Sequence, residues 1–317
     1  MVTFAPDVGS DSNHIAEWLL HSDENASGQA ALEHSTVVIG IPTFNEERFV
    51  LETLMSVQSQ THGDFLVVIS DNRSTDRTAE ICRKFCQADH RFVFIAWQRN
   101  VGAAANFQWL LKNTRSPYFM WLGAHDLISK DFLEKHLSAL DSDPTLALSY
   151  ANIRCINQNS EFIRETDGGN YHHISGTSAQ RYRRTFKRMG PAAPINNLFR
   201  RAALHSVTVK PVSSIDRMIL CQAAYWGQFN KIDEPLYVKR FIMDRDDGPV
   251  ARLVRIKGRA VSNPGHIETM REFLQQFMSL EKSWIERALL GMAVWSRYSK
   301  RIRKDITRGF SRQHKTA

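Results

Sequence analysis

The chain has 317 residues, 43% of them hydrophobic and 10% aromatic, which is enough apolar material for a sizeable core and excludes an intrinsically disordered chain. Four scattered cysteines, Cys82, Cys86, Cys155 and Cys221, are too few for a disulfide-stapled scaffold, and no apolar run is long enough to span a bilayer. A formal net charge of +8 calls for an anionic partner: nucleic acid, a phosphate-bearing ligand or an acidic membrane.

Residues 1–35 are polar, with Ser, Asp, Asn and Gly around the Ile15–Leu20 segment, and read as a mobile arm carrying at most one short helix. No basic flank followed by an apolar run opens the chain, so export by a signal peptide is not expected. From Thr36 onward, short β-rich runs alternate with segments of helical period. Strands are expected at Val37–Ile41, Phe65–Ser70, Phe92–Trp97, Tyr118–Leu122 and Leu146–Ile153, with helices over 46–60, 76–87, 103–113 and 130–141. Such repeated strand–helix–strand units predict an α/β fold with a mainly parallel central sheet and helices on both faces.

After Ile153 the pattern loosens. Ser160–Arg164 suits an antiparallel partner, Asp167-Gly168-Gly169-Asn170 a turn, and Thr177–Met189 a strongly basic helix. A helix over 214–226 leads to strands at Phe229–Asp233 and Leu236–Phe241. Beyond Asp247-Gly248-Pro249 only helices are expected, near 250–260, 265–290 and 292–307. The chain thus divides into a polar arm (1–35), an α/β domain (36–245) and a basic helical extension (246–317).

In parallel sheets, ligands bind beyond the carboxyl ends of the strands. Pro42–Glu46, Asp71–Asp76, Arg99–Gly102 and Gly123–Asp126 each follow a predicted strand, so these four turns should gather along one rim. The first turn holds no glycine and no G-x-x-x-x-G-K-[ST] occurs, which argues against a dinucleotide site and a P-loop. Asn45 suits a helix N-cap, with Glu46 and Glu47 in the first turn. Ser70–Asp76 suits either a capped helix start or a ligand contact. Asp126 follows the apolar run Tyr118–Leu122; a carboxylate there either holds a divalent cation bridging two phosphates or is a plain loop residue before Ser129.

Together these turns resemble the GT-A fold glycosyltransferases of family 2, inverting enzymes that use nucleotide-diphospho sugars, over roughly residues 36–241. Pro42-Thr43-Phe44-Asn45, with Glu46 behind it, looks like the family's opening P-x-[FY]-N segment, where base and ribose bind. Asp71-Asn72-Arg73-Ser74-Thr75-Asp76 is similar to its D-[DN]-x-S-x-D turn, which contacts the base. Arg99-Asn100-Val101-Gly102 resembles its donor-binding R-N-x-G, and Ala124-His125-Asp126 falls on its D-x-D-like metal motif. Ile215-Asp216-Arg217 looks like the late acidic position that supplies the catalytic base. The resemblance implies a nucleotide-sugar donor, a divalent cation (Mn2+ or Mg2+) held by Asp126, and Asp216 deprotonating an acceptor hydroxyl.

Two positions depart from the pattern. His125 replaces an acid, so its imidazole either hydrogen-bonds the ribose or joins the cation. Asn72 stands where a second Asp is common; its carbonyl oxygen accepts an imide N–H, so UDP and dTDP both remain open. The basic helix with Arg181, Arg183, Arg184, Lys187 and Arg188 reads as a solvated face, with an anionic acceptor as the other reading, and Lys239, Arg240 and Arg245 are alternative diphosphate contacts. In the extension, Trp284–Trp295 is expected to pack on the domain and the last twenty or so residues to lie on an anionic membrane. The leading function is transfer of sugar to a glycan or lipid-linked acceptor in the cytoplasm, at the inner face of the membrane. A non-catalytic nucleotide or glycan binder is the alternative. Nucleic acid is disfavoured because the basic residues cluster late while the turns carry acids and amides.

Overall fold

Every residue of β1 (Val37–Thr43) except Pro42 is buried, as are all seven of β2 (Phe65–Asp71), the signature of strands covered on both faces. This computed structural model describes residues 35–188, 194–242, 255–257 and 265–313. The expected arm, apart from Ser35, lies outside them, as do Arg245 and the Asp247-Gly248-Pro249 break.

The chain continues through α1 (Val50–Gln58), α2 (Thr78–Ala88), β3 (Phe92–Ala96), α3 (Ala103–Lys112), β4 (Tyr118–Trp121), β5 (Leu127–Ile128) and α4 (Phe132–Ser142). Next come β6 (Leu146–Asn157), β7 (Phe162–Thr166), α5 (Ser178–Arg188), β8 (Leu198–Arg200), α6 (Ile215–Trp226), β9 (Gln228–Phe241), α7 (His266–Leu280) and α8 (Trp284–Gln313). Strand order is β3-β2-β1-β4-β8-β6-β9-β5, with β7 also on β6. β1, β2, β3 and β4 pair in parallel, as the alternating pattern predicts. The other half is mixed: β8 runs antiparallel to β4 and β6, and β9 is parallel to β6 but antiparallel to β5. β5 and β8 are too short to show a hydrophobic period. Glu234-Pro235 does not end a strand; it lies in a bulge where β9 spends Asp233–Leu236 against the single Asn152 of β6.

Side chains alternate across the sheet. Val37, Ile39 and Ile41 of β1 and Phe65, Val67 and Ile69 of β2 face a core shared with α1 and α4, whereas Val38, Leu66 and Val68 face one shared with α3, α5 and α6. Phe273 and Phe277 of α7 and Leu290 and Val294 of α8 join the second core. Each such burial contributes roughly 1.5–3 kcal/mol, which fixes the extension to the domain. Phe277 meets Tyr182 and Phe273 meets Phe186, with ring centroids 4.8 and 5.0 Å apart.

The break between the last two helices falls at Glu281–Ser283, and Gly291 lies inside α8. Glu281 accepts the Ser283 amide at 2.8 Å, and Arg287 takes the Met278 and Glu281 carbonyls at the end of α7. These contacts satisfy the carbonyls a helix end leaves open. The basic helix α5 is also more engaged than a solvated face. Arg181 donates to the Ala224 and Tyr225 carbonyls that close α6, both at 2.8 Å, and Arg183 pairs with Glu286 of α8 at 2.5 Å. No described helix is long and apolar enough to cross a membrane.

Candidate nucleotide-sugar site

β1, β2 and β3 are laid down in one direction before the chain returns to place β4 on the other side of β1. The strand order reverses there, so the turns after β1 and β4 flank the crevice where open α/β sheets take ligands.

The turns after β1 and β2 are interlocked. Asn45 Oδ1 accepts the Thr75 amide at 2.8 Å, and Ser74 Oγ accepts the Asn45 amide at 2.9 Å. Thr78 Oγ1 accepts the Glu46 amide at 2.8 Å, Asp76 accepts that of Glu47 at 3.2 Å, and Glu47 accepts that of Arg77 at 2.9 Å. Asn45 therefore caps no helix, contrary to the N-cap expectation: α1 begins only at Val50, and the Glu46 carbonyl takes the Phe49 and Val50 amides. Asp76, just ahead of α2, accepts the Thr78 amide at 3.0 Å. Asn45 and Arg73 both adopt left-handed backbone, φ 55° and 66°. Asn tolerates that region, whereas Arg at the tip of the second turn is held there against its preference.

Asp71 is 2% exposed; its oxygens accept the Ser74 amide at 3.0 Å, the Ser74 hydroxyl at 2.5 Å and the Thr43 hydroxyl at 3.3 Å. Asn72 reaches the third turn. Its Nδ2 donates to Asn100 Oδ1 at 3.0 Å, and its Oδ1, the atom expected to read a base, accepts the Val101 amide at 2.8 Å. One lone pair of that oxygen remains for a ligand. Asn100 Oδ1 also accepts the Gly102 amide, where φ of 84° suits a glycine. Phe44, Arg73 and Arg99 are exposed along this rim.

The fourth turn is joined to the first: His125 Nδ1 lies 3.1 Å from Glu46 Oε1. In the tautomer that donates this hydrogen bond, Nε2 is an acceptor. Asp126 points the other way. It is 3% exposed; Oδ1 accepts the Arg240 amide at 2.8 Å and Oδ2 accepts the Tyr237 hydroxyl, which itself takes Asn196 Nδ2 at 2.6 Å. Burial first, and then the charge of Asp126, push the Tyr237 phenol well above its ordinary range. A Cβ on Gly123 would sit 2.6 Å from Asp126 Oδ2, so the turn requires glycine there.

Arg240 is not a diphosphate contact. Its side chain is fully buried, bound to Glu52 at 2.7 Å, Ser160 Oγ at 2.8 Å and the His125 carbonyl at 3.0 Å, and it lies over the Phe49 ring. It braces the fourth turn from behind. Sequence reading missed Tyr237, Asn196 and this role of Arg240 because Tyr237 and Arg240 reach Asp126 from 111 and 114 positions away along the chain, and Asn196 joins only through Tyr237. Asp216 is exposed in the first turn of α6, and its Oδ1 accepts the Arg217 amide at 2.8 Å. Among the described residues no hydrogen bond joins it to the four turns.

The glycosyl transferase family 2 model matches residues 38–208. The glycosyltransferase GlyA of Streptococcus pneumoniae is 28% identical over 145 residues, 45% of this chain and 19% of that protein. The putative teichuronic acid biosynthesis glycosyltransferase TuaG of Bacillus subtilis is 31% identical over 96 residues, 30% of this chain and 38% of TuaG. This chain spans less than half the length of these curated relatives. Among solved structures, Staphylococcus aureus TarS 1–349 in complex with UDP-GlcNAc shares the fold, with a TM-score of 0.61 at 17% identity over 83% of this chain and 72% of that one.

Proposed function

This chain belongs to glycosyl transferase family 2, and from that membership we propose that it moves a sugar from UDP or dTDP, with inversion, to a hydroxyl of a glycan or lipid-linked acceptor. The observation that carries the donor reading is the locking of four strand-end turns at the switch point between β1 and β4, through Asn45, Asn72, Asn100 and the His125–Glu46 pair. Phe44 and Arg73 on the exposed rim offer a ring face and a cation to base and phosphate.

Asp216 is the general base of this reading. Its exposed carboxylate takes the acceptor's proton as the hydroxyl oxygen attacks the anomeric carbon, on the side opposite the departing diphosphate. A divalent cation would meet the fourth turn. No group of three or more His, Cys, Asp or Glu stands together among the described residues, so the fourth turn would supply only a small share of the ion's ligands and phosphate and water the rest. Both Asp126 oxygens already accept hydrogen bonds, so the donor set fits best with His125 at the ion and Asp126 fixing the turn. When bound, such an ion neutralises charge on the leaving diphosphate.

The acceptor is assigned to surface polysaccharide, supported by the teichuronic acid role in TuaG's name. The reading places the protein in the cytoplasm, peripheral on the inner face of an anionic membrane through its basic end. Incubation with a panel of nucleotide sugars plus Mn2+ or Mg2+ tests it by the nucleotide released. UDP- or TDP-sugar-dependent release that disappears in Asp216→Asn supports it. Release from GDP-sugars alone, or release unaltered in Asp216→Asn, overturns the donor or base assignment respectively.

A further inference from the structure

Between Trp284 and Tyr298, helix α8 turns its charges toward the protein and its tryptophans away from it. Leu290, Val294 and Tyr298, four residues apart, are each fully buried. At 100° per residue, Ile285 lies directly opposite them with Met292 close to it, and Trp284 and Trp295 project together from one flank. Trp284 is 76% exposed, Met292 61% and Trp295 59%, with Ile285 beside them at 52%. The ionic side chains of the same stretch are spent inward: Glu286 on Arg183, Arg287 on the end of α7, and Arg297 over the Phe186 ring. A helix of a water-soluble surface is arranged the other way. An apolar strip this large marks an interaction site.

We propose that this outer face of α8 docks on an anionic lipid bilayer, with the groove between α5 and α8 seating a lipid phosphate. This deepens the peripheral-membrane part of the proposed function and rests on it. Tryptophan is the side chain that settles at the boundary between headgroups and acyl chains, and here two of them bracket a methionine along about three turns of helix. The groove holds about 580 Å3 and is lined by Phe186, Leu289 and Met292 together with Arg183, Lys187 and Arg297; with Arg183 paired to Glu286 and Arg297 packed over Phe186, the exposed Lys187 is the cation it offers to a phosphate. Beyond it the sequence of α8 adds Lys300, Arg301, Arg303, Lys304, Arg308 and Arg312 against the single acid Asp305. Apolar insertion beside a cationic run matches a membrane of negative surface potential. A second copy of the chain would bring two such runs together and repel.

Cosedimentation of the full chain with phosphatidylcholine vesicles, with and without phosphatidylglycerol, tests the docking. Binding is expected only with the anionic lipid, and it should weaken as salt rises. Trp284→Ser with Trp295→Ser should reduce it roughly tenfold or more, and Lys187→Ala about fivefold. Undiminished binding by these variants overturns the proposal. So does shielding of the two tryptophans from an aqueous quencher in the absence of vesicles, which would mean that a second copy or the chain's own terminus covers the face. Donor-dependent nucleotide release, measured in parallel without vesicles, keeps the two readings apart: docking can fail while transfer stands, and all these variants lie outside the transfer machinery.

Discussion

Tyr237, on β9, donates its hydroxyl to the carboxylate of Asp126, at the end of the β4 turn, and the Arg240 amide from the same strand takes the other oxygen. Two elements remote in sequence thus set the rim on which His125 sits. Tyr237→Phe strips one donor from a buried carboxylate and the acceptor from Asn196. It should lower stability by about 1–3 kcal/mol, read as a shifted urea midpoint with unchanged slope.

Asp126 and His125 should separate under alanine substitution. Asp126→Ala orphans both the Arg240 amide and the Tyr237 hydroxyl, so a loss of roughly 2–5 kcal/mol is expected in unfolding experiments. His125 is a quarter exposed, and its replacement takes one partner from the buried Glu46, so a smaller loss of about 1–3 kcal/mol is expected. Its alanine variant should also need much more Mn2+ or Mg2+ for half-maximal nucleotide release. An unaltered metal requirement would remove His125 from the ion.

Asp216→Asn should leave the unfolding midpoint where it is, because the side chain is exposed. Turnover should fall by about 10²–10⁴ while donor affinity stays within a factor of roughly two. Equal loss of donor affinity would point to a binding role.

His136 gives the fold an acid limit. It is wholly buried against Ser149 Oγ at 2.8 Å, and burial lowers its pKa from 6.5 to about 3. Between those values the unfolded chain binds a proton that the folded chain refuses. Stability from this residue is therefore complete above the upper value and is lost as pH falls toward the lower one. Comparing urea midpoints near neutrality and near pH 5 should show a smaller difference in His136→Gln than in the parent.

The four turns were legible because they follow runs such as Val37–Ile41 and Tyr118–Leu122, whose apolar character announces a buried parallel strand. What binds the turns together was not. Asn45 reads as a cap for the helix that follows it, and only the tertiary fold shows its oxygen on the Thr75 amide. Arg240 reads as an accessible cation until Glu52, Ser160 and Phe49 enclose it. β5 and β8 are too short to carry a period, and the α7–α8 break is set by Glu281 and Arg287 rather than by Gly291, the residue with the poorer helix propensity.

The crossed hydrogen bonds between residues 43–47 and 71–78 also constrain redesign. Each turn supplies acceptors for the other's backbone amides, so a change of donor preference introduced into one alone would leave its partner's N–H groups stranded. The two segments would have to be transplanted as one cassette.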